Sequence, residues 1–308
     1  MSNPRLSVFE AQRTHLLGIA YRMLGEMGAA EDVAQEAWLR WQRAAGEDIR
    51  DPRAWLSAVT VRLSLDALRK ARARRETYVG PWLPEPLLPD DMRAFAADAP
   101  AARAELASDL SLALLHVLER LSPEERAALI LHDAFDCDYD VIAQALEKNE
   151  AACRKLVSRA RERVKADRPR HAVSGVAHKD LVTKFVAAAA TNDTAAIMRL
   201  LAKDVVLYSD GGGKAAAALN PIYGDDRVAR FIAGVMRKFG PVDGFAIEST
   251  EINGTPGFLL REAAGLHSAL TVEVDGDAIS AIYLVRNPDK LARVAGTTSP
   301  SPGSSPSA

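Results

Sequence analysis

The chain has 308 residues, enough for two or three domains, and a formal net charge of −2. A chain so close to neutrality is not a globally basic nucleic-acid binder, so any DNA contact must come from local basic patches. Cys137 and Cys153 are its only cysteines, which argues against a disulfide framework or a zinc module. We find neither a signal-peptide pattern nor a long apolar run, and therefore expect a cytoplasmic protein with no membrane segment.

Three helices are predicted in the first quarter of the chain, and the second has two unlike faces. They span 9–24, about 30–43 and a third segment that begins at Asp51 as N-cap and Pro52 as first helical residue. On the second helix a leucine lies among polar side chains, which favours docking to another protein, although singly exposed leucines are common. This face carries Asp32, Gln35, Glu36, Arg40 and Arg43, with Leu39 among them.

The third helix has a tryptophan near its start and a strongly basic end. An aromatic ring with nearby cations can hold single-stranded DNA by base stacking and phosphate contact. Taken alone, Trp55 is explained better as a core residue. Trp55 would supply the ring, and the cations of the basic end, set against Asp66 and Glu76, are Arg62, Arg69, Lys70, Arg72, Arg74 and Arg75.

A connector without helical periodicity follows, and helical pattern then returns. Residues 78 to about 100 are rich in proline, which predicts a stiff linker in which Trp82 must pack on something. A helix is predicted over 104–121. Ser122 and Glu125 form a capping box with proline between them, which predicts a helix from Pro123 to about His132.

Residues 138–165 show the pattern of a helix-turn-helix, whose second helix enters the major groove of DNA. Asn149 is the predicted N-cap of that second helix. An apolar stripe at i+4 spacing lies opposite polar and basic side chains, although an ordinary helical hairpin with a solvated basic face is the alternative. The stripe is Ala152, Leu156, Ala160 and Val164, and the opposite set is Arg154, Lys155, Ser158, Arg159, Arg161 and Arg163.

The last third of the chain changes character. Predicted helices over 181–190, 193–201 and 228–239 accompany predicted strands over 205–209, 245–252, 257–260, 269–274 and 278–285. The predicted fold class is therefore an all-α N-terminal two-thirds, made of two helical domains, followed by an α+β cone. The Ser/Pro/Gly-rich residues 297–308 are predicted to be disordered.

Residues 5–170 resemble a bacterial extracytoplasmic-function (ECF) sigma factor, a subunit of RNA polymerase that selects and melts promoters. The resemblance is carried by Ala30 to Trp38, Arg53 to Leu56, Leu63 to Arg69, Leu121 to Arg126 and the helix-turn-helix, in the order that the family has them. Residues 180–294 resemble a SnoaL-like domain of the cone-shaped NTF2-like fold. One subgroup of the family carries this extension, with three motifs present here: Trp82-Leu83-Pro84-Glu85-Pro86, Asp210-Gly211-Gly212-Gly213-Lys214 and Asn287-Pro288-Asp289-Lys290-Leu291.

The resemblance implies a domain for each task. It divides the chain into sigma domain two (1–77), the linker (78–103), sigma domain four (104–172), the SnoaL-like domain (173–294) and a tail (295–308). Core RNA polymerase would be bound through its clamp helices by Asp32, Gln35, Glu36 and Leu39. The −10 promoter element would be bound by Trp55, Arg62, Asp66, Arg69 and Lys70, and the −35 element by Asn149, Glu150, Arg154, Lys155, Ser158 and Arg159.

The resemblance also suggests how the chain is controlled. Sigma factors of this kind are usually silenced by an anti-sigma protein, and here the added domain stands in its place, so we expect no separate anti-sigma factor. We expect the linker motif to pack on the cone near Asp210–Lys214 and Asn287–Leu291, where glycines permit close backbone approach. No cofactor, metal or membrane contact is expected, and whether the cone holds a small ligand stays open.

Two functions other than that of a sigma factor are alternatives for this sequence. An NTF2-like cone can be an isomerase or a cyclase with a carboxylate base, for which Asp210, Tyr208 and His267 are the candidates. Gly211-Gly212-Gly213-Lys214 is not a P-loop, because Ala215 follows the lysine. A ligand-sensing helix-turn-helix regulator is the second alternative, but it leaves the acidic second helix and the basic third helix without a use.

Overall fold

The structure is a computed structural model that describes residues 4–46, 48–75, 77–93, 95, 110–167, 175–239, 246–262 and 265–297. The chain divides into two compact units. The first, unit 1, contains residues 1–78 and 89–169, and the second, unit 2, contains residues 79–88 and 170–308. The proline-rich linker is thus divided, and its first part belongs to the C-terminal unit.

The described part of unit 1 is helical. Its helices are α1 (Pro4–Leu24), α2 (Met27–Arg43), α3 (Pro52–Arg75), α4 (Pro89–Arg93), α5 (Leu112–Leu118), α6 (Pro123–Leu129), a π-helical turn (Ile130–Ala134), α7 (Tyr139–Leu146) and α8 (Glu150–Asp167). The prediction missed α4. Of the helix predicted over 104–121, residues 104–109 lie outside the described residues, and α5 forms the described part.

Helices α1, α2 and α3 pack on one another around aromatic and aliphatic side chains. Phe9, Leu16, Trp41 and Leu56 form one buried cluster at this contact. Leu56, Val61, Leu65 and Leu68 of α3 are buried, and Leu56 lies on a different side of the helix from the other three. The helix is apolar on more than one side because it has neighbours on more than one side.

The helix starts predicted at Asp51, Ser122 and Asn149 are confirmed by their capping contacts, whereas α1 and α2 begin at Pro4 and Met27, earlier than predicted. Asp51 Oδ1 accepts a hydrogen bond from Ala54 N (3.0 Å), and Asn149 Oδ1 accepts one from Ala152 N (2.8 Å). Ser122 and Glu125 form the complete capping box of α6. Glu147, with φ +55°, ends α7 in the left-handed conformation and so makes the short turn of the helix-turn-helix.

The helix-turn-helix and the π-helical turn before it pack against α3 and α1. Helix α7 lies along α3, and the π-helical turn contacts α1. The ring of Phe135 meets the edge of the His15 ring, with centroids 4.7 Å apart. Arg126, 3 % exposed, donates hydrogen bonds to Met23 O and to Glu119 Oε1, each 2.6 Å long. Unit 1 therefore joins both sigma-like helical regions in one body.

Unit 2 is a sheet covered by helices. The helices are α9 (Gly175–Ala190), α10 (Thr194–Leu200), α11 (Asp225–Phe239) and α12 (Pro288–Thr297). The strands are β1 (Leu201–Asp210), β2 (Ile222–Tyr223), β3 (Ala246–Ile252), β4 (Thr255–Glu262), β5 (Gly265–Asp275) and β6 (Ala278–Val285). The strand order is β2-β1-β6-β5-β4-β3, with β1 parallel to β6 and the other neighbours antiparallel.

The core of unit 2 lies between the sheet and helices α9, α10 and α11. Phe185, Ile197, Leu207, Val228 and Ile282 are buried there. Two elements were not predicted, the two-residue strand β2 and helix α12. Helix α12 was missed because Pro288 suggests a fixed turn, whereas proline also suits the first position of a helix. Residues 298–308, predicted to be disordered, lie outside the described residues.

Among the described residues, none of the helices has the length and apolar character required to cross a bilayer.

Candidate functional site

The four residues predicted to dock on polymerase form one stripe along α2. They follow the i, i+3, i+4, i+7 spacing that places side chains on one helix face. Asp32 and Gln35 are exposed, Leu39 is 36 % exposed, and Glu36 pairs with Arg40 at 3.2 Å. Ala30, Val33, Ala37 and Trp41 fill the opposite, buried face. The stripe is thus a surface that the fold of unit 1 leaves uncovered by the described residues.

The residues predicted to bind the −10 element lie along α3 but have different surroundings. Asp66, Arg69 and Lys70 are exposed, and Arg69 pairs with Asp66 at 2.8 Å. Trp55 is half-buried against the ring of Trp41, with centroids 5.6 Å apart. The structure therefore brings the exposed polar residues of the basic end together, while Trp55 also serves the packing of the three helices.

Arg62 is engaged by the helix-turn-helix. Its guanidinium donates to Gln144 O (2.7 Å) and Ala145 O (3.3 Å), and it lies 3.5 Å from the carboxylate of Glu147. The last carbonyls of a helix carry partial negative charge, which favours a cation at this position. Sequence reasoning placed Arg62 on a DNA-binding face, but it did not predict this contact.

Helix α8 presents the residues predicted to bind the −35 element on its exposed face. Lys155 and Ser158 are exposed, and Arg154 pairs with Glu150 at 2.7 Å while lying over the ring of Tyr139. Leu156, Ala160 and Val164 are buried as predicted, Ala152 is only half-buried, and the buried face also includes Cys153 and Val157. Asn149 caps the helix from the same end, so the predicted residues form one continuous surface at and after the helix start.

Arg161, which the sequence places on the same basic set, is turned toward the π-helical turn. Its guanidinium lies 2.5 Å from Asp133 Oδ1, and this hydrogen bond raises the pKa of Arg161. Basic residues of α8 are therefore not equivalent, because some are held by acidic groups of unit 1.

The linker motif and the two loop motifs of the cone meet at a buried ion pair. Lys290 Nζ lies 2.7 Å from Asp210 Oδ2, and the same oxygen accepts a hydrogen bond from Leu83 N (2.8 Å). Lys290 also donates to Leu83 O and lies over the ring of Trp82, 3.9 Å from its centroid. The linker backbone thus completes the hydrogen bonding of both charged groups.

Further contacts fix the rest of the linker on unit 2. Leu87 N donates to Asn253 Oδ1 (2.9 Å) and Leu87 O accepts from Asn253 N (2.8 Å). Glu85 pairs with Arg293 of α12 at 3.5 Å. Asn253 and Arg293 were missed by sequence reasoning, although Asn253-Gly254 between two β-type segments could have predicted a tight hairpin turn.

The glycine-rich loop needs its glycines. A Cβ at Gly211 would lie 2.3 Å from Ala215 O, so a larger residue cannot occupy this position without moving the backbone. Gly213 has φ +73°, and a Cβ there would meet Val79 of the linker at 3.3 Å. Lys214 pairs with Asp289 at 2.5 Å, which ties this loop to the start of α12.

The three candidates for enzymatic chemistry lie outside the apolar cavity of unit 2. A cavity of about 60 Å³ between α9, α11 and the sheet is lined by apolar side chains of the described residues. Tyr208 instead stacks on Tyr283, and Asp210 pairs with Lys290. His267 lies 3.2 Å from Glu262, and burial, together with Arg286, lowers its pKa. None of these three residues lines that cavity.

Comparison with known proteins identifies the family to which the chain is similar. Residues 8–74 match the Sigma-70 region 2 family, and residues 111–164 match Sigma-70, region 4. The chain is 40 % identical over 298 residues to the ECF RNA polymerase sigma factor SigJ of Mycobacterium tuberculosis, covering 93 % of each chain. It is 30 % identical over 291 residues to the probable ECF RNA polymerase sigma factor SigI of the same species, covering 94 % of this chain and 95 % of that one.

The crystal structure of SigJ extends the similarity to three dimensions. It superposes with a TM-score of 0.73 at 37 % identity, covering 93 % of this chain and 98 % of the other. The chain therefore belongs to the ECF RNA polymerase sigma factors. It is an alternative sigma factor whose all-α N-terminal part is followed by an α+β domain, and both expectations from the sequence are confirmed.

Proposed function

We propose that this sigma factor uses three separate surfaces of unit 1 to start transcription. The α2 stripe binds the clamp helices of core RNA polymerase, the basic end of α3 holds the opened −10 element, and the N-terminal half of α8 binds the −35 duplex. The observation that supports this most directly is the exposed, continuous set of Lys155, Ser158 and Arg154 on α8, opposite a fully packed apolar face. Because core RNA polymerase is the proposed partner, we expect the chain to act in the cytoplasm.

Melting a short −10 element is within the reach of binding energy alone. Opening a duplex costs about 1.4 kcal/mol per base-pair step. Stacking a flipped base on an aromatic side chain returns about 1–3 kcal/mol. A few captured bases and the phosphate contacts of Arg69 and Lys70 therefore suffice, and the chain needs no nucleotide hydrolysis for this step.

We further propose that the C-terminal domain regulates the sigma factor through the linker. Leu83 and Leu87 are fully buried in unit 2, and Glu85 is 8 % exposed. Because this segment is covalently continuous with both promoter-binding regions, its docking sets the length of chain that is free between them. Docking is intramolecular, so a high effective concentration favours it even with a modest interface. The domain then takes the role of an anti-sigma protein, and no separate one is required.

Run-off transcription with purified core polymerase tests the primary function. The template is the DNA upstream of the protein's own coding sequence, together with templates selected from random-sequence DNA by the holoenzyme. We expect transcripts that depend on the added chain. A yield no higher than that of core polymerase alone on all of these templates contradicts the sigma function, and failure to co-purify with polymerase would favour an ordinary helix-turn-helix regulator.

The regulatory proposal is tested with three variants in the same assay. Trp82→Ala removes the cation–π contact between this ring and Lys290. Removal of residues 287–308 deletes α12, and truncation after His171 removes the cone. We expect the first two to change transcript yield in the same direction, because both release the linker from unit 2. The full truncation should differ from them, since it also removes the surface on which the linker docks. Unchanged yield in all three variants contradicts regulation by the cone.

A further inference from the structure

Glu125 is a buried carboxylate at the centre of a polar cluster in unit 1. It is 4 % exposed and occupies the third position of α6. Its Oε2 accepts hydrogen bonds from Ser122 N (3.1 Å) and Ser122 Oγ (2.9 Å). Burial alone would raise the pKa of Glu125, but the Ser122 hydrogen bonds and the nearby arginines outweigh it, and the pKa is lowered. The group is thus held as a carboxylate in a fixed place.

The same carboxylate contacts two arginines of α8. Arg163 donates to Oε2 (2.8 Å), and Arg159 Nε lies 3.3 Å from Oε1. The two arginines are four residues apart, so they lie on one face of the helix. Their side chains are 56 % and 59 % exposed, and each guanidinium has five N–H donors. The pairing therefore leaves donors available to a phosphate.

Building on the proposed −35 function of α8, we propose that Glu125 is a positioning residue for promoter recognition: it holds Arg159 and Arg163 so that they contact the −35 backbone in one register. The anchor is rigid, because moving the carboxylate would also break the cap of α6. Long cationic side chains without such an anchor bind phosphate in many geometries. Such contacts add affinity for every sequence equally and give no preference for the correct one.

The substitution Glu125→Gln tests this role. Glutamine also closes a capping box, so α6 keeps its cap while the arginines lose their counter-charge. Binding of the full-length chain is measured by fluorescence anisotropy on a −35 duplex selected from random-sequence DNA and on an unrelated duplex, over a salt series. We expect the ratio of the two affinities to fall about 5- to 10-fold, at the lower end of the cost of one mismatched base pair. The salt slope on unrelated DNA should steepen by about 1, because the released arginines gain phosphate contacts.

The matched control is Ser122→Ala, which removes the Oγ bonds of the cap but keeps the Glu125 carboxylate, its bond from Ser122 N and its contacts with both arginines. We expect it to lower the melting temperature and to leave the affinity ratio of the parent. The proposal is overturned if Glu125→Gln keeps the parent ratio and salt slope, or if Ser122→Ala reduces the ratio as much. Arg154→Ala distinguishes failure of the positioning proposal from failure of the proposed −35 function. If Arg154→Ala impairs binding of the −35 duplex and Glu125→Gln does not, the −35 function of α8 stands and the positioning role of Glu125 is wrong.

Discussion

Lys290 and Asp210 form an ion pair with a 2.7 Å contact in which the two residues are 5 % and 0 % exposed. The pair is not self-sufficient, since Leu83 of the linker donates to Asp210 and accepts from Lys290. Taking two charges out of water is unfavourable unless further hydrogen bonds complete their shells. The docked linker supplies those bonds, so the stability of the cone and the position of the linker are coupled.

Lys290→Met should destabilise unit 2 by about 3–5 kcal/mol, because it leaves a buried carboxylate without its counter-charge. The double variant Asp210→Asn with Lys290→Met removes both charges and should recover most of that loss. Thermal unfolding of the full-length chain measures both. An equal loss in the single and double variants would show that packing, rather than charge, dominates at this position.

Glu147→Gln should increase the affinity of the free chain for single-stranded −10 DNA about 2- to 5-fold, the range expected for losing one exposed ion pair. The reason is that Glu147 helps hold the Arg62 guanidinium against the end of α7, where it contacts protein groups instead of the DNA that we propose it binds. Arg62→Ala should lower the same affinity. The matched control is Glu162→Gln, which changes an exposed glutamate of α8 in the same way. If Glu147→Gln binds no better than this control, the contact does not compete with DNA.

Asp32→Arg combined with Gln35→Ala should abolish co-purification with core polymerase, because the pair reverses charge and removes an amide at the centre of the α2 stripe. Both side chains are exposed, so the helical content measured by circular dichroism should not change. Glu10→Arg, a charge reversal at an exposed acidic residue of α1, provides the comparison and should keep binding. Retained polymerase binding in the double variant would mean that the stripe is ordinary surface.

Arg154→Ala and Lys155→Ala should each weaken binding of the −35 duplex. A residue that contacts bases should cost about 1–3 kcal/mol on the correct sequence. One that contacts phosphate should weaken all sequences equally and flatten the salt slope. Lys165→Ala, at the far end of α8, serves as the reference. Parent-like binding of both variants across the salt series would contradict the assignment of α8 as the recognition helix.

His15 should make unit 1 less stable in mild acid. Its ring contacts Ser57 Oγ at 2.9 Å and packs on the ring of Phe135, and burial, with Arg53 and Arg22, lowers its pKa from 6.5 to about 4. Between those values the unfolded chain binds more protons than the folded chain, so stability falls as pH falls. From pH 7 to pH 5 the free energy of unfolding should drop by about 1–2 kcal/mol through this residue.

Denaturant unfolding at the two pH values, for the parent and for His15→Gln, measures that contribution. The variant should show a smaller drop than the parent, since glutamine does not titrate. An equal drop in both would assign the acid sensitivity to other groups.

The sequence by itself determined the elements whose causes are local. The capping contacts of Asp51, Ser122 and Asn149 were predictable because a cap needs a short polar side chain and a backbone N–H only three residues away. The α2 stripe and the buried face of α8 were predictable because side chains repeat with the period of the helix. The linker motif and the two loop motifs could be named from family resemblance, and so could their mutual packing.

Only the tertiary structure decided which charged groups meet. Arg62 against Gln144, Glu125 against Arg163, and Lys290 against Asp210 join positions far apart in the chain, and no local pattern encodes such pairs. Sequence reasoning treated the basic residues of α3 and α8 as alike, whereas their surroundings divide them into exposed and held groups. The division arises because a long charged side chain lies against whichever opposite charge the fold brings within its reach. The distances between charged groups in the folded chain cannot be obtained from a single sequence.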